Sequence, residues 1–544
     1  MSRSFHNPLT RMLREAQAAC EQSKSLSAPI DEVTEMRSMA RAAVPRRQLL
    51  VGAMAATAMT TMPRRARAAL GPRVVIVGAG LAGLSCAQRL WTGRGLASTI
   101  YEWSDTVGGR VHSLRGFFAR GEVGELHGEF ISSEHRRTLS LVKLYGLTLR
   151  NTNATLGADE DTYWFNGRRY TQAELNDAWR EGVYDLFRDA VAKAPSASYR
   201  HASPTARAWD NMSVTEWVER YIPGGVAGPL GGLCHADVLS EYGGPADEQS
   251  ALNLIYILGF DTSRADGFQS PKIPLLAGTD ERYTVLGGND QIVGGLVNEL
   301  PPGAIRTGHQ LLAVRPSGSG YVCTFQHGAA AVDVAADHVV LAIPPTTLRD
   351  VDLTRVPLSP LKRAQIAGLQ LGSNVKLLVQ VAGRPWQALG YTGTQLTDRP
   401  IGAGWDASCF ERGSRGPDAQ SIYAIFTGGK AGARFAARHG LKTDAGPAPA
   451  DMVSDALGQL EPIIPGVTAA WRQGSGLAYY RDGNIDPRLK GAYSYYRVGQ
   501  YTQFSGVEPQ RAGNLHFAGE HTSIQYQGYM EGAVQSGYRA AGEI

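Results

Sequence analysis

The stretch that decides the fold is "RVVIVGAGLAGLSCAQRL", Arg73–Leu90. It opens with a β-branched run, which is typical of a buried parallel strand, and it continues with helix-compatible spacing. Between the two, Gly78, Gly80 and Gly83 form the pattern G-x-G-x-x-G. Glycines at these positions allow a tight turn and a close approach of the backbone to a pyrophosphate, which a helix N-terminus attracts. The stretch therefore predicts the strand–turn–helix unit of a dinucleotide-binding domain.

A second predicted strand, Ser98–Glu102, ends in an acidic residue 24 positions beyond Gly78. An acid at this place binds the ribose hydroxyls of a dinucleotide, and its charge disfavours a phosphorylated ribose. The spacing therefore predicts NAD or FAD rather than NADP.

The next segment, "DTVGGRVHS" (Asp105–Ser113), favours FAD. Its Gly108-Gly109 pair lets the backbone approach the cofactor again, and Arg110 adds a guanidinium for phosphate. Together the two motifs resemble those of the flavin amine oxidase superfamily, which includes monoamine, polyamine and L-amino-acid oxidases. "GELHGEFI", Gly124–Ile131, is similar to the family segment that passes near the isoalloxazine ring.

The resemblance extends to "NLHFAGEHTSIQYQGYMEGAVQSGYRAA", Asn514–Ala541. It has a strand-like start, a turn with Glu520, and helical spacing from Gly528 onward. In the family, the N-terminus of this helix faces the flavin, where its dipole stabilises negative charge on the reduced ring. Val285–Val297 and Asp337–Leu348 also look like family segments.

The resemblance implies an α/β and α+β fold with a Rossmann-like, glutathione-reductase-like FAD domain and an inserted substrate domain of mixed sheet and helices. The expected ranges are 1–68 for a leader, 70–138, 280–365 and 486–544 for the FAD domain, and 139–279 and 366–485 for the substrate domain.

The same resemblance assigns residues to the cofactor. They are Gly78, Ala79, Gly80, Leu81, Ala82, Gly83, Glu102, Gly109, Arg110, Gly128, Glu129, Phe130, Val314, Glu520, Met530 and Glu531. Ala492 stands where monoamine oxidases of the mammalian type have a cysteine joined to the flavin. Because alanine offers no thiol, we expect FAD to be bound non-covalently.

Three residues are expected to act in the reaction. A lysine at the position of Lys376 holds a water against flavin N5 in the family, and a snorkelling lysine at a strand edge is the alternative. Tyr493 and Tyr529 match the two walls of an aromatic cage that orients an amine. Ordinary packing is the alternative for each tyrosine.

These features predict oxidation of a primary amine or L-amino acid to an imine, which hydrolyses to an aldehyde or oxo acid and ammonia, while oxygen becomes hydrogen peroxide. Alternatives are a flavin amine dehydrogenase that passes electrons to a carrier protein, a non-amine flavin oxidase or desaturase, and a flavoprotein without catalysis. Phe130 stands where L-amino-acid oxidases of the snake-venom type carry an arginine. A carboxylate partner would have to be Arg136, Arg137 or an arginine of the inserted domain.

Composition restricts the partners. The 544 residues are 43% hydrophobic and 19% charged, as in a globular protein. Residues 1–68 hold 11 of the 54 basic and 5 of the 50 acidic residues, which leaves a net charge of −2 for the remainder. This gives no electrostatic case for nucleic acid. The five cysteines lack metal-ligand spacing, so no metal is expected. The sequence does not decide whether the protein is a homo-oligomer.

The segment "VPRRQLLVGAMAATAMTTMPRRARA", Val44–Ala68, has the layout of an export signal of the twin-arginine type, with Arg46 and Arg47 as the pair. Its apolar run, Gln48–Met62, is shorter than the roughly 20 residues that span a bilayer. A buried or membrane-anchoring helix is the alternative. We expect the protein to be periplasmic or secreted, without a stable membrane span.

Changing both Arg46 and Arg47 to Lys should leave flavin-loaded protein in the cytoplasm, because this export route reads the arginine pair. Cell fractionation with flavin fluorescence measures the outcome. Unchanged amounts outside the cytoplasm would show that another route is used.

Overall fold

The structure, a computed structural model, describes residues 71–152, 160–179, 183–195, 197–262, 281–408 and 420–544. The predicted leader, including Arg46 and Arg47, lies outside these ranges. Within them, no helix is both long and apolar enough to cross a membrane.

The strands alternate between two large sheets and several small ones. In chain order they are β1 Val74–Val77, β2 Ser98–Tyr101, β3 Ser113–Leu114, β4 Gly124–Glu125, β5 Leu149–Asn151, β6 Glu160–Phe165, β7 Arg168–Tyr170, β8 Tyr283–Val285, β9 Ile305–Arg306, β10 His309–Ser317, β11 Gly320–His327, β12 Ala330–Ala336, β13 His338–Leu341, β14 Gln370–Leu371, β15 Val375–Ala382, β16 Tyr391–Thr397, β17 Ala403–Asp406, β18 Gln420–Thr427, β19 Ala445–Pro447, β20 Ala478–Asp482, β21 Ser494–Tyr495 and β22 Leu515–Phe517.

The longest run of helices lies between β7 and β8 in the chain, and the others are interspersed with strands. In chain order they are α1 Leu81–Arg94, α2 Arg136–Leu144, α3 Gln172–Ala178, α4 Tyr184–Lys193, α5 Pro204–Asp210, α6 Val214–Tyr221, α7 Pro229–Tyr242, α8 Ala251–Thr262, α9 Gln291–Glu299, α10 Pro345–Leu348, α11 Pro360–Gly368, α12 Pro385–Ala388, α13 Gly429–Arg438, α14 Ala450–Leu460, α15 Val467–Gln473, α16 Gln500–Phe504 and α17 Met530–Gly542.

The first large sheet is parallel, with strand order β22-β13-β1-β2-β9. Strand β1 is buried on both faces, as its unbroken apolar run predicts. Val74 and Ile76 pack against helices α1 and α17, whereas Val75 and Val77 pack against the antiparallel meander β10–β12. The sheet is therefore the middle layer of three, as in a Rossmann-like domain.

Helices α1 and α17 cross in backbone contact. A Cβ on Gly537 would lie 2.2 Å from the carbonyl oxygen of Ala82, which is too close for any side chain. Glycine at 537 therefore allows the helix from the end of the described chain to pack directly on the first one. This contact fixes the two helix N-termini relative to each other.

The second large sheet has the order β19-β20-β15-β18-β17-β16-β6-β7. Its pairs are antiparallel except β16 with β6, which is parallel, so the sheet is mixed. Strands β6 and β7 share an apolar core with helices α3 to α8, and β15 and β18 share one with α13 to α15. A Rossmann-like layer plus a mixed-sheet domain confirms the predicted fold class.

The domain boundaries stay a prediction. Each strand of the parallel sheet falls within the ranges expected for the FAD domain, and each strand of the mixed sheet within those expected for the substrate domain. Short pairs of strands connect the two sets, namely β5 with β8 and β14 with β21. These pairs join the two sheets around the site described next.

Candidate active site

A cavity of about 2180 Å³ runs from the β1–α1 turn to the mixed sheet. The turn contributes Gly78 and Gly80, β15 contributes Lys376, and the segment before α17 contributes Tyr529. It is wide and long enough to hold a dinucleotide together with a small molecule. The sequence-predicted motifs from both ends of the chain therefore meet in one space.

The β1–α1 turn has the geometry that the glycine pattern predicts. Gly78 has φ +102°, and a Cβ there would lie 2.6 Å from the carbonyl oxygen of Ala342. A Cβ on Gly83 would lie 2.0 Å from the carbonyl oxygen of Gly78, so this glycine allows close strand–helix packing. No side chain caps the N-terminus of α1, whose Leu81 and Ala82 line the cavity. Its uncapped N–H groups suit a pyrophosphate.

Glu102 lies at the end of β2 and lines the same part of the cavity. Its carboxylate accepts the N–H of Ala79 at 2.7 Å and the N–H of Ser104 at 2.8 Å. Burial raises the pKa of Glu102, and these hydrogen bonds oppose the shift. Carboxylate oxygens have two lone pairs each, so ribose hydroxyls can still be accepted.

Arg110 connects three distant parts of the chain. Its Nη1 donates to the carbonyl oxygen of Ala492 at 2.6 Å and to the Glu520 carboxylate at 2.9 Å. The other Glu520 oxygen accepts the Ser494 hydroxyl and the N–H of Gly528. Burial would raise the pKa of Glu520, but Arg110 and the hydrogen bonds hold it below its usual value. Both predicted residues line the cavity, and their pairing fixes the turn that leads into α17.

The Lys376 ammonium is buried and fully hydrogen-bonded. It donates to the Glu129 carboxylate at 2.9 Å and to the carbonyl oxygens of His127 and Glu125 at 2.9 and 3.1 Å. The second Glu129 oxygen accepts the indole N–H of Trp405 at 2.9 Å. Both charged side chains are about 95% buried, at 4% and 6% exposed. A water held by Lys376, as predicted, would have to displace one of these three acceptors.

Tyr493 and Tyr529 both line the cavity. The Tyr493 hydroxyl donates to the carbonyl oxygen of Ser240 at 2.8 Å, which fixes the plane of its ring. Burial, the charge of Glu241 and the nearby Tyr529 raise the pKa of Tyr493 well above its usual value, so it stays protonated. Tyr529 is the N-cap residue of α17, whose N-terminus has no side-chain cap. The role of the two rings as a cage stays a prediction.

The remaining predicted residues divide into two groups. Gly109, Gly128, Phe130 and Met530 line the cavity. A Cβ on Gly128 would lie 3.2 Å from the Met530 side chain, so these two segments pack closely. The Phe130 ring lies 5.5 Å from the Trp405 ring, measured between centroids.

Four predicted cofactor residues lie behind the lining of the described cavity: Ala79, Gly83, Val314 and Glu531. The N–H of Val314 donates to the carbonyl oxygen of Asp352, and the neighbouring Gln310 and Leu311 line the cavity in its place. The Glu531 carboxylate accepts the N–H groups of Arg137 and Thr138 and so caps helix α2. The cofactor contacts expected for these four residues stay a prediction.

The sequence interpretation also missed four cavity residues: His127, Asp237, Glu241 and Trp405. The i,i+4 spacing of Asp237 and Glu241 in a helical stretch was a usable signal. His127 lies in Gly124–Ile131, the segment expected near the isoalloxazine ring. Trp405 carried no signal, because only the fold of the mixed sheet brings β17 beside Lys376. Of the predicted carboxylate partners, Arg136 is exposed, and neither it nor Arg137 lines the cavity.

Comparison with known proteins identifies the family. The model of flavin-containing amine oxidoreductases matches residues 81–544, so the chain belongs to that family. Amine oxidase B of Sus scrofa is 26% identical over 496 residues, which cover 87% of this chain and 85% of the relative. Amine oxidase A of Equus caballus is 26% identical over 489 residues, with 87% and 84% covered.

Two solved structures share the fold. Cyclohexylamine oxidase from Brevibacterium oxydans IH-35A matches with a TM-score of 0.69 at 22% identity and covers 87% of this chain and 98% of its own. Wild-type putrescine oxidase bound to putrescine matches with a TM-score of 0.68 at 20% identity over the same shares.

Family membership implies FAD, and the residues fit it. The two uncapped helix N-termini, the close approach that the turn glycines allow, and Glu102 at the end of β2 are the donors and acceptors that a dinucleotide needs.

The buried pair of Lys376 and Glu129 gives a stability prediction. Glu129→Gln should lower the free energy of unfolding by about 3–5 kcal/mol, because it leaves a buried ammonium without a counter-charge. Lys376→Met should have a similar cost for the opposite reason. The double variant should lose clearly less than the sum of the two. Urea unfolding of the flavin-loaded protein measures all three.

Lys430→Met is the matched control, since Lys430 is half exposed and pairs with Asp247 on the surface. It should cost less than about 1 kcal/mol. If Glu129→Gln and Lys376→Met lower the free energy of unfolding as little as the control does, the buried pair is contradicted. It is also contradicted if the loss in the double variant equals the sum of the two single losses.

Proposed function

We propose that this chain is an FAD-dependent amine oxidase that converts a primary amine to an aldehyde, with ammonia and hydrogen peroxide as the other products. The observation that carries the proposal is the convergence of Tyr493, Tyr529 and the Lys376–Glu129 pair on one cavity, beside the uncapped N-terminus of α17. Amine oxidase B and cyclohexylamine oxidase, which are similar to this chain, are named for the same chemistry.

FAD, when bound, supplies the acceptor for the hydride that leaves the carbon bearing the amine. The chain's own residues bind and orient the amine. The rings of Tyr493 and Tyr529 restrict how it can tilt, and the hydrogen bond from Tyr493 to Ser240 keeps one ring in place. A substrate that enters as the neutral amine needs no side-chain base, and Tyr493 stays protonated because burial raises its pKa. Water then hydrolyses the imine to the aldehyde and ammonia.

The buried pair of Lys376 and Glu129 makes part of the cavity wall polar. Lys376 and Glu129 bring two opposite charges with complete hydrogen bonding into the wall of the cavity, so they add polarity without an unbalanced charge. We propose that Lys376 also assists the reaction with oxygen, as the family resemblance implies. This role requires that the ammonium exchange one carbonyl acceptor for a water.

An L-amino acid is the second candidate substrate. It is favoured by Arg150, a cavity residue that could bind the substrate carboxylate. A desolvated carboxylate needs a cationic partner. Five cations that line the cavity already have carboxylate partners: Arg110, Lys376, Arg384, Arg481 and Arg488. Arg150 also lines the cavity, and in the described part of the chain its buried Nε has no hydrogen-bond partner.

The test is a peroxide-coupled screen of purified protein with primary amines and L-amino acids. We expect peroxide with carboxyl-free primary amines, with one ammonia formed per peroxide. Flavin that amines reduce without oxygen, but that a cytochrome reoxidises far faster than oxygen does, would instead identify an amine dehydrogenase. Failure of every amine and amino acid to reduce the flavin would refute the proposal.

We further propose that FAD is held without a covalent bond. Ala492 lines the cavity where the mammalian-type relatives carry the linking cysteine, and no cysteine among the described residues lines it. The three described cysteines, Cys86, Cys234 and Cys323, are buried elsewhere in the cores.

Precipitation with acid should therefore release all of the flavin as intact FAD into the supernatant, which absorbance and chromatography measure. Flavin that stays with the precipitated protein would contradict non-covalent binding.

A further inference from the structure

Helix α7 presents two carboxyl groups to the cavity. Asp237 and Glu241 are one helical turn apart on α7, and both line the cavity. Side chains four positions apart lie on the same face of a helix. Asp237 is only 5% exposed, so this acid is taken almost completely out of water.

These carboxyl groups have no cationic partner. In the described part of the chain, neither acid forms an ion pair, and the Oδ2 of Asp237 is buried without a hydrogen bond. Besides burial, the described charges that raise the pKa of Asp237 are those of Glu241 and Glu281, which are also acidic. An acid that is buried beside other acids is costly unless a cation joins it.

Other buried polar atoms without hydrogen bonds line the same cavity near α7. The Ser240 hydroxyl oxygen, the Asn374 side-chain carbonyl oxygen and both polar atoms of the Gln395 side chain are buried without hydrogen bonds in the described structure. Asn374 is anchored to α7, because its amide group donates to the carbonyl oxygen of Ser240 at 2.9 Å. An ammonium group has three donors and no acceptor, so it matches a set of atoms that mostly accept.

The acid pair is close to the reaction face. Tyr493 donates to Ser240, which lies between the two acids in the α7 sequence. After burial, the charge of Glu241 is the main cause that raises the pKa of Tyr493. A molecule whose reacting end lies at the tyrosines can therefore reach α7 with its other end.

We propose that Asp237 and Glu241 bind a second ammonium group of the substrate, so that the enzyme acts on aliphatic diamines or longer polyamines. This inference rests on the proposed amine oxidation. A diamine presents one neutral amine for oxidation and one ammonium for α7. A monoamine leaves the acids without a partner, and the carboxylate of an amino acid would be repelled at this end of the cavity.

The protonation of the acids agrees with a site that waits for a cation. Burial raises the pKa of Glu241 to about 7, and burial with the two nearby acids raises the pKa of Asp237 well above its usual value. A bound ammonium favours the charged carboxylates and lowers both pKa values.

Matched substrates test the inference on flavin-loaded enzyme. Straight-chain α,ω-diamines of three to eight carbons are compared with the monoamines of the same length, by anaerobic flavin reduction and by peroxide formation. The best diamine should exceed its monoamine in kcat/KM by about 10- to 100-fold, the value of a charged hydrogen bond or two. Equal values for diamines and monoamines at every length would overturn the inference while leaving amine oxidation intact.

Variants locate the effect. Asp237→Asn and Glu241→Gln keep the shape of the side chains and should reduce the diamine-to-monoamine ratio by at least about tenfold, mainly through KM. Asp247→Asn removes a charge from an exposed ion pair with Lys430 and should leave the ratio unchanged. If Asp237→Asn and Glu241→Gln have the same diamine-to-monoamine ratio as the control Asp247→Asn, the inference is overturned. Flavin content and melting temperature check that each variant is folded.

Binding without turnover gives a second readout. Calorimetry with 1,4-diaminobutane, on enzyme whose flavin has been reduced with dithionite, measures the dissociation constant directly. Asp237→Asn should weaken binding by about tenfold or more. Unchanged binding would overturn the role of α7. Failure of all amines to reduce the flavin, with diamine binding still dependent on Asp237, would refute amine oxidation but retain the cation site.

Discussion

The backbone contact between α1 and α17 is the constraint on which the site depends. Gly537 brings α17 onto the backbone of Ala82, so the two helices begin at the same cavity. Each has an N-terminus without a side-chain cap, and both therefore direct positive dipole ends into one space. Glu531 extends the arrangement by capping α2 from the first turn of α17. A single close contact thus orients three helices around the cofactor site.

The two ends of the cavity differ in how their charges are balanced. At the end formed by the dinucleotide motifs and β15, Arg110 pairs with Glu520 and Lys376 pairs with Glu129. At the α7 end, Asp237 and Glu241 have no cationic partner among the described residues. Paired charges make a polar wall that does not select a ligand by its charge. Acids without a partner favour a cationic group of the ligand. A molecule that spans the cavity is therefore oriented with its cationic end toward α7.

The sequence predicted the parts of the molecule in which local pattern determines backbone shape. The β1–α1 turn, the acid after β2, the last strand and helix, and the two-sheet fold class could be predicted because glycines and buried strands leave few alternatives. The direction of side chains that depends on tertiary packing could not be predicted. Val314 lies three to five residues from the lining residues of β10, and the Glu531 carboxylate accepts N–H groups of α2. Trp405 reaches Glu129 only because β17 and β15 belong to the same mixed sheet.

The order of the parallel sheet also has a consequence for synthesis on the ribosome. Strand β13 lies between β1 and β22, and β22 is separated from it in sequence by more than 170 residues. The sheet therefore lacks its β22 strand until residues 515–517 have left the exit tunnel. Helix α17 follows β22 in the chain, so it can pack on α1 only after that. Such a high contact order makes folding slow and post-translational. Until β22 is made, β13 is an unpaired edge of the sheet on the side away from β1.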